Sequence, residues 1–163
     1  KNGPDEMKNC SLPMFDIKNR VAILTGSAGL LGTQYANVLS SAGANVILVD
    51  VNLDRNKNLE KNLALQYNTK PMAVKVDISD KEEVKKLREK IISKYGKIDI
   101  LINNAAFTRK HPLESAPFEK YPLELWQETI KTNLTGVWVC CQEFGKVMVK
   151  QKSGLRVKIS SIF

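Results

Sequence analysis

The sequence predicts an α/β protein with a doubly wound parallel sheet, and three observations carry that prediction. Five short apolar runs alternate with four stretches of helical periodicity, so every strand-to-strand connection needs a crossover. A glycine-rich bend, Thr25-Gly26-Ser27-Ala28-Gly29-Leu30-Leu31-Gly32, joins the first run to the first helix. An acidic residue, Asp50, closes the second run, at the strand end where such sheets meet their ligands.

Each element follows from its local pattern. Residues 1–13 carry Gly3, Pro4 and Pro13 without periodicity and read as a flexible lead-in to one domain over 14–163. No apolar segment of signal-peptide type follows the first lysines. Residues 21–24 are continuously apolar, as expected of a strand covered on both faces. Leu31, Tyr35, Val38, Leu39 and Ala42 then mark an amphipathic helix stopped by Gly43. Residues 46–49 form the second strand, and Leu59, Leu63 and Tyr67 mark a helix that must finish before Pro71. Residues 72–76 are the third strand. Ser79 or Asp80 can cap a helix carrying Val84, Leu87, Ile91 and Tyr95 on one face and closed by Gly96. Residues 98–102 are the fourth strand, followed by a long loop over 106–120. Pro122 opens a long helix with the stripe Trp126, Ile130, Leu134, Val137, Cys141, Phe144 and Met148, which places Trp126 in the core, with Trp138 beside it. Residues 157–161 are the fifth strand; Arg156 and Lys158 share one face of a segment that should be buried on both sides.

Composition bounds the function. The 163 residues are 43% hydrophobic and 26% charged, which argues against disorder and fibrous repeats. No apolar run reaches the roughly 20 residues that span a bilayer. Three cysteines, Cys10, Cys140 and Cys141, are an odd count with two adjacent, which fits a reducing, cytoplasmic setting better than a disulfide framework. The net charge of +8 raises the question of nucleic acid, but the lysines interleave with glutamates as on a solvated helix face, and no nucleic-acid partner is expected. His111 is the only histidine and reads as a surface loop residue, so no metal site is expected. The chain starts at Lys1 and stops at Phe163 beside an apolar stretch, so we expect a truncated sheet whose C-terminal strands are missing.

The bend is where chemistry enters. Gly26, Gly29 and Gly32 allow a sharp turn, close approach of a phosphate and tight packing of helix on sheet. The helix start offers unpaired N–H groups and a positive dipole end to a diphosphate. Asp50, roughly 20 residues on, can accept both hydroxyls of an adenosine ribose and would repel a 2′-phosphate. This favours NAD over NADP; Arg55, close by, keeps NADP open as the lesser alternative.

Three further motifs fall where this fold places its ligand: Asp77-Ile78 after strand three, Asn103-Asn104-Ala105-Ala106 after strand four, and Asn133-Leu134-Thr135-Gly136 within the long helix. With the glycine bend and Ser160-Ser161, they resemble the short-chain dehydrogenase/reductase superfamily, in its compact branch, over about residues 15–163. The resemblance implies a Rossmann fold of strand order 3-2-1-4-5 and an NAD-binding domain over 14–163. It implies that Gly26, Ser27, Gly29, Leu30, Leu31 and Gly32 line the diphosphate and adenosine side, that Asp50 holds the ribose, and that Asp77 with Ile78 meets the adenine edge. Asn104, Ala105 and Ala106 would run beside the nicotinamide ribose. As catalytic residues, Asn133 matches the asparagine that kinks its helix and supports a proton relay, and Ser161 the serine that hydrogen-bonds the reacting carbonyl or hydroxyl. A homodimer or homotetramer of the full-length protein is implied as well.

The departures are specific. Leu30 stands where the compact branch has glycine, a spacing that looks like the branch acting on nucleotide sugars, and Ala106 replaces a usual glycine. The family's general acid/base is a tyrosine with lysine four residues later. Here Tyr35, Tyr67, Tyr95 and Tyr121 are followed at that offset by Leu39, Pro71, Asp99 and Leu125. The expected function is therefore hydride transfer between nicotinamide and a small carbonyl compound or secondary alcohol, with a lean toward sugar-derived substrates, and this chain alone is expected to be inactive. The alternative is a non-catalytic dinucleotide-binding module. A methyltransferase on a similar sheet shares the bend and the acidic strand end but leaves the two asparagine motifs unexplained.

Overall fold

The computed structural model describes residues 16–107 and 117–159. Five strands, β1 (Val21–Thr25), β2 (Asn45–Asp50), β3 (Met72–Lys75), β4 (Ile100–Asn103) and β5 (Leu155–Lys158), form one sheet ordered β3-β2-β1-β4-β5. All four pairings are parallel, with Ile23 opposite Ile47 on one side and Leu101 on the other. Helices α1 (Leu30–Ser41) and α2 (Leu53–Tyr67) cover one face. The other face carries α3 (Lys81–Tyr95) and α5 (Val137–Gln151). The predicted doubly wound order is the observed one.

The alternation of side chains along a strand builds two cores. Val21 and Ile23 face α3 and α5 with Val84, Leu87, Ile91 and Phe144, while Ala22 and Leu24 face α1 and α2 with Ala36, Leu59 and Leu63. Each fully buried Ile or Leu contributes about 2–3 kcal/mol of transfer free energy. Polar clamps close the end of the sheet away from the glycine bend. Asp99 accepts from the Val21 amide at 2.8 Å and pairs with Arg20 at 2.9 Å and Lys97 at 3.1 Å. Gln151 at the end of α5 bonds both the N–H and the C=O of Ile98, at 3.0 and 2.8 Å. Between α3 and α5, Glu143 is fully buried with Arg88 and Lys146 on its carboxylate.

The outer edge of β3 is capped from both flanking helices. The Val76 amide points inward to the Asp50 carbonyl, so alternate residues point away from the sheet. Of these outward groups, the Ala73 amide donates to Glu60 of α2 at 3.0 Å and the Asp77 amide to Glu83 of α3 at 2.8 Å. Lys75 lies between them on the strand, and the capped, charged edge blunts pairing with other strands.

Four expectations are corrected. In α1 the buried residues are Gly32, Ala36 and Ser40, with Leu31 and Val38 turned to solvent at 54% and 64% exposure. Small residues fill the line of closest approach to the sheet, while Tyr35 and Leu39 of the expected stripe pack against the core half-buried. The long helix is not uniform: α4 (Leu123–Ile130) and α5 flank a π-helical segment, Lys131–Gly136. That wider turn breaks the 3.6-residue stripe, so Trp126, Leu134 and Trp138 are exposed and Val139, Cys140, Phe144 and Met148 are buried. β4 begins at Ile100, because Asp99 is spent on clamping Val21. β5 covers Leu155–Lys158 and, among the described residues, is mostly exposed. Lys158 is exposed there, and the Arg156 guanidinium lies near the small residue Gly145 of α5.

Candidate functional site

The bend after β1 is held by its own backbone and by the segment after β4. Gly26 has a left-handed φ of +65°, and a Cβ there would lie 2.7 Å from the Ala105 Cα. At Gly32 a Cβ would stand 2.1 Å from the Gly26 carbonyl oxygen, so only glycine lets the first turn of α1 sit on the bend. Gly29 occupies the N-cap with no side-chain cap, and no acidic residue stands in the first turn. The first amides of α1, at Leu30, Leu31 and Gly32, are thus without a capping side chain, the arrangement that receives an anion.

Asp50 reaches the bend from the end of β2. One carboxylate oxygen accepts from the Ala28 amide at 3.0 Å and the other from the Asn52 amide at 2.9 Å. A carboxylate has about four lone-pair sites, so acceptor capacity is left on both oxygens. Beyond it, Asp77 follows β3. Its Oδ1 accepts from both the amide of Ser79 at 2.9 Å and the hydroxyl of Ser79 at 2.7 Å. Burial pushes the Asp77 carboxyl up, but the Ser79 bonds and the charge of Lys131 outweigh it and hold it below the usual carboxylate range. Ile78 is buried against Gly136, where a Cβ would lie 2.7 Å from its side chain.

Gly26, Asp50, Asp77, Ile78, Ala105 and Ala106 line one cavity of about 300 Å³, joined by Phe107 and Thr132. A second concavity of about 430 Å³ contains Lys57, Lys75, Lys86 and Lys90 along the outer edge of β3, and none of the glycine-bend residues. The first is the candidate site, because the carboxylates of Asp50 and Asp77 and the first glycine of the bend, Gly26, meet there, with Ser27 and Gly29 to Gly32 outside its lining.

Other predicted residues support the cavity from behind. Ser27 is buried and donates its hydroxyl to Asn56 at 2.8 Å. The Asn104 side chain donates to the carbonyls of Thr25 and Gly26 at 3.0 and 3.1 Å, which spends its amide on the bend. Asn133 sits in the π-helical segment and accepts from the Phe107 amide at 2.6 Å, fastening the segment after β4 to the long helix. Cys140 is packed in the core, where burial pushes its thiol up to about 12. Ser161 and His111 lie outside the described residues.

Two organising residues went unread in the sequence. The Thr25 hydroxyl accepts from the amides of both Asn104 and Ala105 at 3.0 Å, tying β1 to the segment after β4. Asn56 of α2 is fully buried and bonds Ser27 and the carbonyls of Leu48 and Val74. Its signal was available: Asn56, Leu59 and Leu63 share one helix face, so a polar residue stands in an apolar stripe.

Comparison with known proteins adds to this geometry. The sequence profile described as short chain dehydrogenase matches residues 20–163. The chain is 34% identical over 146 residues to 3-oxoacyl-[acyl-carrier-protein] reductase FabG of Aquifex aeolicus, covering 90% of this chain and 57% of that protein. It is 36% identical over 148 residues to the NAD-dependent glycerol dehydrogenase of Listeria innocua, covering 90% and 54%. Among solved structures, a short-chain type dehydrogenase/reductase from Mycobacterium marinum superposes with a TM-score of 0.82 at 25% identity, covering 91% of this chain and 58% of that one. The chain spans just over half the length of these curated relatives.

Proposed function

The chain belongs to the short chain dehydrogenase family, and on that premise we propose that it is the cofactor-binding part of an NAD-dependent oxidoreductase. Its reaction is hydride transfer between nicotinamide and a small carbonyl compound or secondary alcohol. The observation that supports this best is the meeting of the uncapped α1 N-terminus with the Asp50 carboxylate at one bend. The residues fit the cofactor. The α1 amides would take the diphosphate, with Gly26 and Gly32 leaving room for it. Asp50 would take the adenosine ribose hydroxyls, and its charge disfavours a 2′-phosphate, which is the argument for NAD over NADP. Asp77 and Ile78 would border the adenine, and Ala105 and Ala106 the nicotinamide ribose.

NAD, when bound, supplies the hydride-accepting ring. The chain's own part is to orient that ring and keep its surroundings fixed. The Asn133–Phe107 and Thr25–Asn104 bonds immobilise the segment that runs beside the cavity. Resemblance assigns Ser161 to hydrogen-bonding the substrate oxygen and Asn133 to the proton relay. Polyols and sugar-derived alcohols are the first substrates to try, since one relative is a glycerol dehydrogenase. The exposed Leu123, Trp126, Leu134 and Trp138 on α4 and the following helical segments support a homodimer or homotetramer. Among the described residues no helix is long and apolar enough to cross a membrane, and the free Cys140 and Cys141 fit a cytoplasmic setting.

Calorimetric titration tests the reading directly. No tyrosine in residues 1–163 has lysine four positions later, so binding is the proper readout for this chain. NAD should bind with a one-to-one stoichiometry and NADP more weakly. Absence of NAD binding by folded protein would overturn the proposal.

A further inference from the structure

The carboxylate of Asp77 is held from one side only. Its Oδ1 takes two hydrogen bonds from Ser79, at 2.7 and 2.9 Å, and among the described residues no hydrogen bond reaches its other oxygen. The backbone on either side is fixed as well. The Asp77 amide is bound to Glu83 at 2.8 Å, and the next residue, Ile78, is buried against Gly136. Asp77 lines the 300 Å³ cavity, whereas Ser79 does not, so any effect of Ser79 on a ligand passes through Asp77.

We propose that Ser79 is a positioning residue that sets base selectivity, by occupying one Asp77 oxygen and leaving the other to accept from the exocyclic amine of adenine. This rests on the reading that Asp77 borders the adenine, and extends it to a residue outside the cavity. An ionised carboxylate can only accept hydrogen bonds, so it pairs with the 6-amino group of adenine and opposes the 6-oxo group of hypoxanthine. Without the Ser79 hydroxyl only the Ser79 amide still holds Oδ1, and a carboxylate held by that one bond loses discrimination because its free oxygen can turn away from the base. Orientation, more than charge, is what Ser79 contributes.

The test titrates the full chain with NAD and with nicotinamide hypoxanthine dinucleotide, for wild type, Ser79→Ala, Ser79→Thr and Asp77→Asn, each checked for an intact melting transition. Wild type should prefer NAD. Ser79→Ala should weaken NAD binding about tenfold while leaving the hypoxanthine dinucleotide within about twofold, and Ser79→Thr should restore the preference. Equal losses for both ligands in Ser79→Ala, or no loss for either, would overturn the positioning role while Asp77→Asn still changes selectivity. If wild type shows no preference and Asp77→Asn changes nothing, the adenine-edge reading itself fails and takes the proposal with it.

Discussion

The carboxylate of Asp50, at the end of β2, accepts a hydrogen bond from the backbone amide of Ala28, in the bend after β1, at 3.0 Å. The charge that would grip a ribose is thereby fastened to the loop that would hold the diphosphate. Asp50→Ala removes both the acceptor and this fastening. We expect NAD affinity to fall at least about tenfold and discrimination against NADP to shrink. Unchanged NAD affinity by calorimetry would remove the ribose assignment.

Gly32 tests the bend sterically. A methyl group there meets a backbone oxygen at 2.1 Å, whereas at Gly96, with φ of +74°, it meets nothing within 4 Å. Gly32→Ala should therefore cost about 1–3 kcal/mol or more, well above the roughly 1 kcal/mol of conformational strain at Gly96→Ala. Urea unfolding of the two variants measures the difference, and equal midpoints would contradict the close approach of α1.

Acid stability depends on Asp99. Burial raises its pKa, but the Val21 amide, Arg20 and Lys97 outweigh burial and hold the carboxyl below its ordinary 3.8. Because folding lowers the pKa, the ionised group stabilises the fold above that value, and the contribution is lost as pH falls through the lowered one. Asp99→Asn should be less stable near neutrality and lose less on acidification below about pH 4. Asp77 and Glu143 are lowered too, so the acid limb should flatten only partly. Melting temperatures across pH 2.5–7 (an approximate range) check this, and parallel curves for variant and wild type would refute it.

The ion pair between α3 and α5 should respond unequally to its two cations. Arg88 is largely covered beside the fully buried Glu143, whereas Lys146 is more than half exposed. Arg88→Ala should destabilise by about 3 kcal/mol, because it strips a buried carboxylate of its better-covered partner. Lys146→Ala should cost about 1 kcal/mol or less. Denaturant titration that ranked them in the opposite order would show that Lys146 carries the pair.

Period and turn chemistry carried the sheet order, the glycine bend and the acidic strand end, because Val21–Thr25 and Asn45–Asp50 are apolar on both faces and stop at polar residues. The inner face of α1 was misread because hydrophobicity weights Leu31 and Val38 above Gly32 and Ala36, although proximity to the sheet selects the small residues. The tryptophans were misplaced because a π-helical turn shifts phase without changing composition. Thr25 was unreadable as a hub, since its partners after β4 are set by tertiary approach and not by spacing, whereas Asn56 left a signal as a polar residue in the apolar stripe of α2. Within the site, Asp50, Asp77 and the glycines were legible from type and position; the engaged hydroxyl of Ser27 and side-chain amide of Asn104 were not.

The carboxylates of Glu60 and Glu83 on the rim of β3 give this sheet a direction of growth. A strand arriving there, from this chain or another, would have to displace two charge-assisted bonds before forming its own. Among the described residues no such carboxylate pair stands along β5, so a further strand is steered away from the β3 margin and toward the side of Arg156 and Lys158.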